Sequence, residues 1–227
     1  MKARLHQINQ RIADAAAASG RDAASIRLVA VSKTIAADRV AQAIDAGVTI
    51  LGENYIQEAR EKFNLLSDRP VQWHFIGHLQ SNKAKYAVRM FDLIHSVDSL
   101  KLAKALDKEA GKRAKIQDVL VQVNISREKT KSGIEATAAA DLVAQIGRLE
   151  NVRVRGLMTM PPFFDEPERA RPFFRQLAQL RARLVAKHMP HVQMDELSMG
   201  MTGDFEVAIA EGATMVRIGT AIFGARR

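Results

Sequence analysis

A parallel (β/α)8 TIM barrel is the fold class predicted for this 227-residue chain. Three observations predict it. Eight short β-rich runs recur along the sequence, and seven amphipathic stretches with helical spacing separate them. Most of the runs are continuously apolar and do not alternate, as expected of parallel strands covered on both faces. The third observation is composition: 47% hydrophobic residues with only six Pro and thirteen Gly support one sizeable core. An open doubly wound sheet is the alternative, because counting strands does not establish closure.

Taken in order, the strand candidates are Leu28–Lys33, Ile50–Tyr55, Trp73–Gly77, Leu93–Asp98, Val119–Ser126, Val152–Met160, Met194–Gly200 and Met215–Gly219. Helical patterns fall at Ala37–Ala46, Glu53–Leu65, Ser81–Arg89, Leu100–Lys112, Ala136–Leu149, Glu168–Lys187 and Gly203–Glu211. Gly47 and Gly212 stand where helix C-caps belong, and Asp165 or Glu166 suits a helix N-terminus. After the eighth run the chain ends at Arg227, too soon for a full eighth helix. Leu5–Ala18 carries apolar residues at helical spacing, so an N-terminal helix within residues 1–20 is expected to cover that closing position. Residues 1–227 read as one domain, somewhat shorter than the usual barrel length of about 250 residues.

Bulk properties narrow the functional classes. Thirty-four basic against 25 acidic residues give a formal charge of +9, which favours an anionic partner. The basic residues are scattered at helical spacing without interleaved aromatics, so nucleic acid is not expected. The absence of cysteine excludes disulfides and thiolate metal sites. Neither a leader-like apolar segment nor a run near the roughly 18 residues of a membrane span occurs, so a cytoplasmic protein without membrane association is expected.

In a barrel of this type, chemistry collects at the C-terminal ends of the strands. The first strand ends in Lys33, a lone ammonium closing an apolar run; desolvation favours a neutral amine that can attack an aldehyde. Alternation places Val29, Val31 and Lys33 on one face, and Met215, Arg217 and Gly219 on another. If both faces point inward, an amine and a guanidinium meet at the mouth. Arg217 lies in a run suited to burial and needs an anion, or else a carboxylate such as Glu53 or Glu196. Ser198, Gly200, Gly219 and Thr220 fall after the seventh and eighth strands, where barrels frequently hold phosphate, whereas Thr202 and Asp204 read as helix-capping residues. His74 and His78 share one strand face, but no third ligand accompanies them, so no metal site is expected.

The segments LVAVSKT, LGENYIQE, WHFIGHLQSNK, HSVDS, VLVQVNIS with KSG, VRGLMTM and LSMGMTGDFEVAIAEGATMVRIGTAIFG resemble, in order, those of the pyridoxal phosphate homeostasis protein family, whose members are similar to the barrel domain of alanine racemase. The likeness runs from residue 28 to 224; Thr202 stands where Ser is more usual and Leu51 where Phe is common. It implies pyridoxal 5′-phosphate as cofactor, held as an internal aldimine on Lys33. Ser198, Gly200, Gly219 and Thr220 would bind the phosphate, Arg217 would face the pyridine nitrogen, and Asn54 and His74 would border the ring. Two activities follow from that cofactor. One is a racemase or decarboxylase, which needs a second base; the only tyrosines are Tyr55, after the second strand, and Tyr86, inside a helix. The other is a monomeric carrier that buffers the aldehyde and passes it to apo-enzymes with little or no turnover. An arginine opposite the ring nitrogen disfavours the pyridinium form, so the carrier is favoured and no catalytic residue is assigned.

Overall fold

A computed structural model describes residues 1–126, 128, 131–189 and 191–224. Its strands are β1 (Arg27–Val31), β2 (Ile50–Glu53), β3 (Gln72–Phe75), β4 (Leu93–Val97), β5 (Gln117–Asn124), β6 (Ile134–Glu135), β7 (Val152–Met158), β8 (Val192–Met201) and β9 (Met215–Ile218). The pairing order is β4-β3-β2-β1-β9-β8-β7-β5, and β4 also pairs with β5. That last ladder, with Leu93 opposite Asp118 and Ile94 opposite Val119, closes the sheet and excludes the open doubly wound alternative. All these pairings are parallel. The two-residue β6 pairs beside the end of β5, outside the eight-stranded barrel.

Side-chain alternation sorts the strands into two cores. Val29, Ile50, Leu93, Leu120, Met158 and Met215 form a small apolar cluster of their own inside the barrel. Their neighbours Ala30, Leu51, Ile94, Val119, Leu157 and Val216 belong to the much larger cluster between strands and helices. A period of two therefore fills both sides of a sheet that is apolar along its length.

The helices are α1 (Lys2–Ala18), α2 (Ala37–Asp45), α3 (Ile56–Leu65), α4 (Ala84–Met90), α5 (Leu100–Gly111), α6 (Ala139–Ile146), α7 (Arg171–Val185), α8 (Phe205–Ala210) and α9 (Thr220–Phe223). The last is a single turn, and α1 packs against both α8 and α9, as the sequence led us to expect. Its buried residues Leu5, Ile8, Ile12 and Ala16 recur every three or four positions. Burying each of the three larger ones stabilises the seam by about 1.5–3 kcal/mol. Arg11 reinforces it, its Nε donating to Glu206 at 2.8 Å and its guanidinium lying 4.6 Å from the centre of the Phe205 ring.

Boundaries differ from the sequence reading chiefly at strand C-termini. Lys33, Asn54, Tyr55 and Gly77 lie beyond their strands, and α3 starts at Ile56 and not at Glu53. At these ends the chain leaves the ladder to build the mouth, and Lys33, Asn54 and Gly77 are residue types that strands disfavour.

Candidate functional site

Lys33 sits one residue past a buried Ser32, at the mouth end of β1, and is half-buried. The backbone on each side of it is clamped from neighbouring elements. Ser32 donates through Oγ to Glu53 Oε1 at 2.6 Å, and its carbonyl accepts from Lys62 Nζ at 2.6 Å. On the other side the Thr34 amide donates to Glu58 Oε2 at 2.8 Å. Thr34 adopts φ +62°, a left-handed conformation that a β-branched residue rarely takes, and its Oγ1 donates to the Lys33 carbonyl at 2.6 Å. The clamp thus fixes the direction in which Lys33 leaves the backbone. Glu53 is fully buried beside Lys62, which lies 2.8 Å away; burial pushes the carboxyl pKa up while the ammonium opposes that rise.

Lys33 lines a cavity of about 240 Å³ at the mouth, together with Val31, Phe163, Phe164, Met201–Asp204, Arg217, Gly219 and Thr220. The amine and the guanidinium expected from alternation therefore share one cavity. A larger cavity of about 710 Å³ lies at the other end of the barrel, between α1 and the N-terminal ends of β1–β3, away from these groups.

Arg217 is only 3% exposed. Its guanidinium donates to Ser198 Oγ at 2.6 Å and to the Thr159 carbonyl at 2.9 Å. The carboxylates considered from sequence are engaged elsewhere: Glu53 with Lys62, and Glu196 with Arg27 and with Thr214 Oγ1, the latter at 2.6 Å. Among the described residues no carboxylate forms an ion pair with Arg217. Burial lowers its pKa to about 10, partly offset by the field of Asp204. The side chain is still a cation at neutral pH, and its remaining donor capacity is available to a ligand.

The other candidates divide. Gly219 and Thr220 line the cavity. Asn54 is half-buried past β2, and its Oδ1 is buried without a hydrogen-bond partner. Ser198 and Gly200 are not among the residues that line the cavity. The Ser198 hydroxyl is fully buried between Arg217 and His95. Gly200 has φ +90°, and a Cβ there would fall 2.6 Å from the Ala208 Cβ, so it lets β8 turn tightly over α8. His74 stands elsewhere. It lines a cavity of about 170 Å³ at the base of the barrel, with Arg27, Asp92, Asp118, Arg155 and Glu196, and its Nδ1 bonds His95. Alternation gives a residue's face but not its depth, and the cavity that His74 lines is the basal one and not the one at the mouth. His78 is off the strand and exposed.

Thr202 and Asp204 were read as caps, yet α8 has no side-chain cap. Asp204 Oδ1 instead accepts from the Met201 amide at 2.6 Å, closing a tight loop that presents Thr202 and Gly203 to the cavity. Sequence reasoning also missed His95, whose only signal is a histidine in the apolar run Leu93–Val97, and the aromatic wall of Phe163 and Phe164. Phe164 stacks on Phe173 with 5.8 Å between ring centres, while Phe163 is 81% exposed. Tyr55 and Tyr86 do not line the cavity.

Residues 4–227 match the family described as alanine racemase, N-terminal domain. A pyridoxal phosphate homeostasis protein of Aquifex aeolicus (strain VF5) is 43% identical over 224 residues, covering 99% of this chain and 97% of the relative. Its counterpart in Escherichia coli (strain K12) is 44% identical over 225 residues, covering 98% and 95%. PipY of Synechococcus elongatus PCC7942, in a structure with PLP bound, superposes with a TM-score of 0.81 at 38% identity, over 88% of this chain and 93% of that one. An alanine racemase of Clostridium difficile 630 superposes at 0.70 with 14% identity, over 89% of this chain but 52% of its own, a likeness of fold alone. With its barrel closed, Lys33 and Arg217 in one cavity, and relatives matched along almost their whole length, this chain belongs to the pyridoxal phosphate homeostasis proteins of the alanine racemase N-terminal domain family.

Proposed function

We propose that this protein binds pyridoxal 5′-phosphate at the barrel mouth and serves as an intracellular carrier or buffer for it, with little or no turnover of amino acids. The observation that carries this reading is the single cavity shared by Lys33, Arg217 and the two loops Met201–Asp204 and Gly219–Thr220. The residues present fit the group. A buried guanidinium without a counter-ion among the described residues suits an acceptor such as a ring nitrogen. Gly203 lines the cavity, and a Cβ there would meet nothing within 4 Å, so the loop leaves room beside it for a phosphate.

When bound, pyridoxal phosphate supplies an electrophilic aldehyde and, in enzymes, an electron sink. Lys33 would hold the aldehyde through its Nζ, releasing water, in a link that hydrolysis or another amine would reverse. Gly219, Thr220, Thr202 and Gly203 would hold the phosphate by hydrogen bonds. Arg217 would donate towards the ring nitrogen and keep a proton off it, which would weaken the electron sink. Phe163 and Phe164 form the outer apolar wall. The printed names of the relatives, homeostasis proteins and not enzymes, support the same reading.

The test is spectroscopic. Added pyridoxal phosphate should give a visible band, and borohydride reduction should fix the label on Lys33. Lys33→Ala should abolish the label while leaving weaker, phosphate-driven binding. A label on another residue, or no band, overturns the site; robust racemisation or decarboxylation of an amino acid overturns the carrier role. Delivery of the cofactor to an apo-enzyme should be measurable with the loaded wild-type protein.

A further inference from the structure

Beneath the mouth, a file of polar side chains threads the apolar ring inside the barrel. Arg217 donates to Ser198 Oγ at 2.6 Å, Ser198 Oγ meets His95 Nδ1 at 2.9 Å, and His95 Nε2 meets His74 Nδ1 at 3.0 Å. Ser198 and His95 are fully buried and His74 is 2% exposed. The file ends at the basal cavity, which His74 lines. It draws a residue from each of four strands, β9, β8, β4 and β3.

Hydrogen-bond arithmetic gives the file one direction. Arg217 can only donate, so the Ser198 oxygen accepts from it. Burial, and then the nearby positive groups, hold both imidazoles in their neutral forms, each with one N–H and one lone pair. A proton on His95 Nδ1 would give the Ser198 oxygen two donors and strand the hydroxyl proton in a fully buried place, an arrangement that costs the whole desolvation of that group. The satisfied arrangement runs from Arg217 to Ser198, from Ser198 to His95 Nδ1, and from His95 Nε2–H to His74 Nδ1. Each link polarises the next in a water-poor interior.

We propose that His95 is a positioning residue for the cofactor site: by accepting the Ser198 O–H hydrogen bond at Nδ1, it turns the serine lone pair up to Arg217 and fixes the guanidinium that faces the ring nitrogen. The role rests on the reading of the mouth as a pyridoxal phosphate site. It assigns Ser198 to the support of Arg217 and not to the phosphate, and it makes His74 the far anchor of the same file.

Two measurements test this. In uniformly 15N-labelled wild-type protein, long-range proton–nitrogen correlations should show His95 protonated at Nε2 alone; a proton on Nδ1, or an imidazolium, overturns the proposal whether or not cofactor binds. The loaded protein gives the second. His95→Leu removes the acceptor, whereas His95→Asn keeps an oxygen near the Nδ1 position. We expect His95→Leu to shift the visible band and weaken binding about tenfold, and His95→Asn to restore both. A merely structural role would lower the unfolding midpoint of His95→Leu and leave its band in place, and that result overturns the assignment. If His95→Leu does not fold, a band and affinity in His95→Asn displaced from wild type count against it equally. Failure of the wild type to label at Lys33 removes the functional reading itself and this role with it, while the tautomer measurement still reports the direction of the file.

Discussion

At the scale of single residues, position at a strand end was the signal that worked. Lys33 closes an apolar run, Arg217 stands inside one, Gly219 and Thr220 follow the last strand, and all four line one cavity. The failures have physical causes. Thr202 precedes a short helix, as a capping residue does, but the Asp204 carboxylate accepts from the Met201 amide and leaves the threonine lining the cavity. Its hydroxyl is therefore a phosphate donor in our reading. Thr202→Ala should weaken pyridoxal phosphate binding about tenfold, the loss expected for one hydrogen bond to a charged acceptor, with the Lys33 label retained. Equilibrium dialysis against the wild type measures it, and unchanged affinity would remove Thr202 from the site.

At the scale of elements, strand and helix types were legible, and their ends at the mouth were not. There, buried polar contacts between elements replace ladder pairing, and no local pattern announces them. The clearest case is the link from α3 to β1, in which Lys62 reaches both the Ser32 carbonyl and Glu53 across the helix–sheet interface. Glu53 Oε2 has no partner of its own, so the ammonium is the charge that holds this carboxylate. Lys62→Met should destabilise the protein by about 3–5 kcal/mol, because it leaves a buried carboxylate uncompensated. Adding Glu53→Gln in the same chain should recover much of that loss. Denaturant unfolding of the single and double variants decides it: a single variant as stable as wild type would mean that the pair does not hold the turn around Lys33.

At the scale of the whole molecule, eight runs could be counted in the sequence, but closure lies in the β4–β5 ladder, between strands whose pairing no local pattern reports. Closure also brings His74 and His95 together inside the barrel, with 5.0 Å between ring centres, where both are buried. That burial has a consequence for acid stability. The His74 pKa is pushed down to about 3, first by burial and then by Arg27, and that of His95 lies well below its ordinary value for the same leading reason. Between those folded values and the usual value near 6.5, the unfolded chain binds protons that the folded chain refuses, so stability rises with pH and falls on acidification. Each histidine contributes a slope of up to about 1.4 kcal/mol per pH unit in that window. Glu53 and Asp204 act with the opposite sign, because burial raises their pKa values and the folded state takes their protons more readily. A comparison of variants separates these contributions where the total slope would not. His74→Gln leaves an oxygen for the His95 Nε2–H but removes one proton from the unfolded side. Between pH 6 and 4.5 its unfolding free energy should therefore fall less steeply than that of wild type, by up to about 1.4 kcal/mol per unit. Parallel curves would show that His74 is protonated in the folded barrel, and the neutral file beneath Arg217 would then be wrong at its far end.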